Sequence, residues 1–95
     1  MGIEFDPGKS ERNARERGLA FDRAEDFDWE GALYREDDRR AYPERRFVAI
    51  GLLDDRLHVL CFTPIPGGVR IISLRKANAR EVKRHEEEAA DRQGR

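Results

Sequence analysis

Three apolar runs stand almost back to back: RRFVAIGLL (45–53), RLHVLCFTPI (56–65) and VRIISLRK (69–76). Only Asp54-Asp55 parts the first two, and only Pro66-Gly67-Gly68 parts the second two. Runs rich in β-branched and aromatic residues read as strands, and links this short fold them back as antiparallel hairpins. The middle of the chain must therefore be an antiparallel sheet. Little else can form a core, because 41% of the residues are charged and 38% are hydrophobic. That composition supports one small core, so residues 1–95 are expected to form a single domain.

The flanks read as helices with short extra strands. IEFD (3–6) suits a short strand. Asp6 is placed as an N-cap and Pro7 as the first helical residue, and Gly18 suits the position just after a helix over 7–17. FDRAEDF (21–27) puts Phe21, Ala24 and Phe27 on one face of a second short helix. Residues 28–44 are acidic and irregular, with ALYR as a short strand. Asn78 and Glu81 have the spacing of a capping box opening a last helix to about residue 90. The predicted class is α+β: three main strands plus short N-terminal ones, two N-terminal helices and one C-terminal helix.

Side chains alternate along a strand, so the hairpins predict faces. Pairing Leu52 with Leu57 brings Ile50 to Val59 and Val48 to Cys61. Pairing Thr63 with Arg70, unbroken, brings Cys61 to Ile72 and Val59 to Leu74. One face then collects Val48, Ile50, Leu52, Leu57, Val59, Cys61, Ile72 and Leu74, suited to covering helices. The other collects Phe47, Ala49, Gly51, His58, Leu60, Phe62, Ile71, Ser73 and Arg75. In this register Arg75 faces His58, while Arg70 and Arg46 lie near Thr63.

The second face groups an imidazole, a guanidinium and a hydroxyl beside a residue without a side chain. Arginine forks match phosphate oxygens, histidine moves protons near neutral pH, and Gly51 would let a ligand reach the backbone. The grouping suits cleavage of a phosphodiester by attack of a ribose 2′-OH. The plain reading is a half-exposed sheet face with ordinary polar residues. Lys9, Arg12 and Arg15 share a helix side and equally suit a solvated surface.

Charge and cysteine content narrow the partners. The net charge is -1, yet residues 45–85 carry nine cations against three anions, and residues 19–44 carry four against nine. A locally basic half can steer a polyanion despite overall neutrality. The acidic stretch leaves open a plain interaction domain for a basic partner. The one cysteine, Cys61, has no metal-type spacing, and no carboxylate cluster is evident, so neither metal nor other cofactor is expected. The start MGIEFDPGK lacks the apolar segment of a secretion signal, and no run approaches membrane-spanning length. A cytoplasmic protein without membrane association is expected.

The chain resembles the BrnT family of toxins from bacterial toxin–antitoxin pairs. The resemblance runs through Phe5-Asp6-Pro7, Lys9, Asn13, Glu16-Arg17-Gly18, Phe21 and Ala24. It continues through Glu44-Arg45-Arg46-Phe47, then Arg70, Ile71, Ile72, Ser73, Arg75, Ala77 and Glu81. It implies a RelE-like fold and a ribonuclease that arrests translation without a cofactor. It also implies a ribbon-helix-helix antitoxin that carries the toxin to operator DNA in a hetero-oligomer. Carried over by position, Lys9, Arg46, Arg70, Ser73 and Arg75 serve RNA binding and cleavage. With the register, the expected catalytic set is Arg75, Ser73, His58 and Lys9, and the RNA-binding set Arg46, Arg70, Arg45 and Arg12. Phe5 stands for the family's usual tryptophan, and Glu16-Arg17 for its usual Lys-His. A weakened nuclease serving as RNA-binding partner or corepressor is the alternative.

Overall fold

The computed structural model describes residues 1–93. In chain order it forms β1 (Gly2–Phe5), α1 (Pro7–Arg17), a 3₁₀ helix (Phe21–Asp26), β2 (Leu33–Glu36), β3 (Phe47–Leu53), β4 (Arg56–Ile65), β5 (Gly68–Lys76) and α2 (Ala79–Gln93). The five strands make one sheet in the order β1-β5-β4-β3-β2. β1 runs parallel to β5 and the other pairs are antiparallel. The sheet is thus mixed, not purely antiparallel. The second helix is 3₁₀, and the first long strand begins at Phe47 instead of Arg45.

Local chemistry accounts for the boundaries. Asp6 Oδ1 accepts from the backbone N–H groups of Gly8 and Lys9 at 2.8 and 3.2 Å, which starts α1. Gly18 ends it at φ 70°, with its N–H donating to the Ala14 carbonyl at 2.9 Å. Glu81 and Asn78 exchange side-chain-to-backbone bonds of 2.8 and 2.9 Å at the start of α2. Asp54 and Asp55 have φ of 53° and 60°, as a type I′ hairpin turn requires. Arg23 holds Asp54 by an ion pair.

Both sheet faces are covered, and this changes the expected division of labour. The segment around the 3₁₀ helix covers one face: Phe21, Ala24, Phe27 and Ala32 pack with Ala49, Leu60, Phe62, Ile71 and Leu74. Trp29 packs edge-on to Phe62 at 5.5 Å. On the opposite face Val48, Leu57, Val59 and Ala77 form a smaller cluster with Ile50 and Val82 of α2. The face expected to be open is therefore the main core. His58 lies on it, 3% exposed. Gly51 offers no ligand space, since a Cβ there would meet Phe27 Cζ and Ala32 Cβ at 2.9 Å.

The β3–β4 register is the expected one. The β4–β5 register holds from Ile65↔Gly68 to Phe62↔Ile71 and then shifts by one residue. Beyond the bulge Cys61 pairs with Ser73, Leu60 with Leu74, Val59 with Arg75 and His58 with Lys76. A one-residue shift exchanges the faces of everything that follows. Leu74 goes into the main core and is fully buried. An unbroken register would instead have driven Ser73 and Arg75 between Leu60, Phe62 and Phe27. Burying a leucine is worth roughly 1.5–3 kcal/mol. A disrupted ladder hydrogen bond costs about 0.5–1.5 kcal/mol. The bulge therefore wins.

Candidate functional site

Pairing of β1 with β5 ends at Phe5↔Ile71, where the chain turns into α1. From Ile72 onward β5 has no strand on that side, and α1 runs alongside. Asn13 fastens the two: its Nδ2 donates to the Leu74 carbonyl at 2.8 Å and to the Leu19 carbonyl at 2.7 Å. A groove of about 360 Å³ lies between the helix and the strand edge. Lys9, Arg12, Glu16 and Arg17 line it from α1, at spacings that share one helix face, and Ser73 and Arg75 line it from β5.

The structure thus brings together Lys9, Arg12, Ser73 and Arg75 of the expected set. It does not bring His58 to them. His58 is buried on the other sheet face, and its Nδ1–H donates to the Arg56 carbonyl at 2.8 Å. The expected pairing of Arg75 with His58 fails because of the bulge: Val59 faces Arg75 instead.

The expected RNA-binding arginines are also apart. Arg45 forks onto Glu36 at 2.9 and 3.2 Å, with its guanidinium 5.1 Å from the Phe47 ring centroid. Arg46 pairs with Glu44 at 3.3 Å and lies 4.1 Å over Tyr42. Both are before β3, away from the groove. Arg70 pairs with Glu4 at 3.3 Å across the β1–β5 ladder.

Pairing differs sharply among these cations. Among the described residues, no ion pair engages the side chains of Lys9, Arg12 or Arg17. Arg75 is held: Nη1 and Nη2 each donate to one oxygen of Glu81 at 2.8 Å. This fork pushes the Glu81 carboxyl down to about 2, helped by the Asn78 backbone N–H and opposed by burial. The Arg75 guanidinium is raised in turn, chiefly by the same bond. Glu81 also lines a second cavity of about 270 Å³, between α2 and the β2–β3 edge. The two partners of the ion pair thus line different spaces, Arg75 the groove and Glu81 the second cavity.

The model of the ribonuclease toxin BrnT of type II toxin–antitoxin systems matches residues 5–81. The chain belongs to the BrnT family. Membership makes it a toxin of the ribonuclease kind and implies an antitoxin partner and an RNA target. No curated protein matches the chain. The BrnT match takes in every groove residue and ends at Glu81, the partner of Arg75.

Sequence reasoning passed over Asn13 and Glu16 as site residues. The spacing 9, 12, 13, 16, 17 on a helix with almost no apolar face was the available signal. Among the described residues no group of three or more His, Cys, Asp or Glu converges as a metal site. No described helix is long and apolar enough to cross a membrane.

Proposed function

We propose that this BrnT-family toxin is an endoribonuclease whose site is the groove between α1 and the edge of β5. The observation that carries the reading is the meeting of two unpaired cations, Lys9 and Arg12, with Ser73 and a fixed Arg75. Ion pairs already formed elsewhere leave Arg45, Arg46 and Arg70 less charge to offer RNA. Lys9 and Arg12 would hold the phosphates on either side of the scissile bond. Arg75 keeps donors beyond the two spent on Glu81, and these would stabilise charge developing on phosphorus. Ser73 would bond a phosphate oxygen or the sugar.

The reaction would be attack of the ribose 2′-OH on the adjacent phosphorus, with cationic side chains and no metal. The chain would act as one RelE-like domain spanning residues 1–95. Its neutralising partner would be a ribbon-helix-helix antitoxin that also binds operator DNA, so the resting form is a hetero-oligomer in the cytoplasm.

Expression of the chain alone tests this. Growth arrest with fragmented RNA, relieved by the product of the adjacent reading frame, is the expected result. Arrest that persists in Arg75→Ala combined with Lys9→Ala would place the site elsewhere. A folded chain that binds RNA without cutting it, with or without EDTA, would leave only an RNA-binding partner of the antitoxin.

A further inference from the structure

Attack by a 2′-OH needs a group that takes its proton. Both histidines of the described chain are unavailable to the groove. His58 is buried on the main core face, and His85 lies on α2 beside the second cavity. Of the groove's polar groups, Lys9, Arg12, Arg17 and Arg75 are cations, Ser73 is a neutral hydroxyl, and Asn13 spends its amide on two backbone carbonyls. Glu16 is the one carboxylate lining the groove. It is exposed, and no ion pair or hydrogen bond occupies its side chain among the described residues. It sits one helical turn beyond Arg12, on the side of α1 that Lys9 and Arg12 share.

We infer that Glu16 is a catalytic residue, the general base that accepts the 2′-hydroxyl proton. The inference rests on the ribonuclease reading above and deepens it. The Glu16 carboxylate takes the proton, and the freed O2′ electron pair forms a bond to phosphorus. The P–O5′ bond breaks and its electron pair stays on O5′. That oxygen takes a proton from the Lys9 ammonium, the other mobile proton of the groove. The products are a 2′,3′-cyclic phosphate and a free 5′-hydroxyl. Solvent returns a proton to Lys9 and removes one from Glu16, so both groups are restored.

A purely electrostatic role for Glu16 has a different signature. An anion among RNA-binding cations weakens binding, so its removal would tighten binding and leave the chemistry intact. The test uses a 5′-labelled single-stranded RNA, bare and in a translating bacterial extract, with its 2′-deoxy analogue as the binding probe. The intact protein is expected to leave a cyclic phosphate. Glu16→Gln is expected to cut about 10²–10⁴-fold more slowly while binding the analogue at least as tightly. Glu16→His should regain part of the rate, with the acidic limb of the pH profile moved upward toward the imidazole range. Glu11→Gln, on α1 but outside the groove, should match the parent. If Glu16→Gln cuts within about threefold of the parent while Arg75→Ala does not cut, Glu16 is not the base and the ribonuclease reading stands. If the parent protein leaves the RNA whole in both settings, the ribonuclease reading falls and Glu16 with it.

Discussion

Arg75 and Glu81 face each other through two bonds of 2.8 Å, joining the end of β5 to the first turn of α2. The same carboxylate also caps α2 through the Asn78 N–H at 2.9 Å. One side chain therefore sets both the start of a helix and the direction of a groove guanidinium. An ammonium cannot fork in this way. Arg75→Lys should keep the charge and lose the geometry. Cleavage should fall about ten- to hundredfold, the equivalent of one charge-assisted hydrogen bond of roughly 1.5–3 kcal/mol. Single-turnover rates at saturating RNA check this.

Acid should loosen the same junction. The Glu81 carboxyl is lowered from 4.5 to about 2 in the folded chain. A depressed carboxyl stabilises the fold above its unfolded value, and that contribution is lost as pH falls through the window from about 4.5 to about 2. Its size is at most about 3 kcal/mol. Asp37, lowered to about 2 mainly by the Arg39 hydrogen bond, acts in the same direction. Urea midpoints taken across that window should fall less steeply for Glu81→Gln than for the parent. Parallel curves would mean that the fork adds nothing to stability.

Salt dependence should separate groove cations from paired ones. Each lysine or arginine that neutralises a phosphate on single-stranded RNA adds about 0.7 to the slope of log affinity against log salt. Lys9→Ala and Arg12→Ala should each lower the slope by about that amount. Arg45→Ala and Arg70→Ala, already paired with Glu36 and Glu4, should lower it less. Equal losses at all four positions would argue for a diffuse basic surface.

His58 gives the contrasting case. Buried and bonded to the Arg56 carbonyl, it should act on stability alone. His58→Asn is expected to cost about 1–3 kcal/mol in denaturant while cleavage per folded molecule stays unchanged. A rate loss in a fully folded His58→Asn would bring the imidazole back into the chemistry.

The strands, both hairpins, the caps of α1 and the Asn78–Glu81 box were legible because each depends on a few neighbouring residues. The β3–β4 register was legible too, since a two-residue turn leaves little freedom. What misled was the choice of covered face. Phe21, Phe27 and Trp29 carry enough apolar surface to bury one side of the sheet, but their sequence does not say which side. That choice decides where Ser73 and Arg75 can go. The doublet Ile71-Ile72 interrupts the polar–apolar alternation of β5 and was the visible hint of a bulge.

Ile72 has a consequence for how this surface can change over time. It works as a phase marker: it is the extra residue of the bulge, and without it an unbroken ladder would pair Cys61 with Ser73 and Leu60 with Leu74, as they pair now. Ser73 and Arg75 would keep the groove side and Leu74 would keep the interior beside Leu60. Substitutions in the groove can adjust the protein by degrees. A one-codon deletion at this point would straighten the strand and leave core and groove in place, because the residues on either side of Ile72 already share one phase.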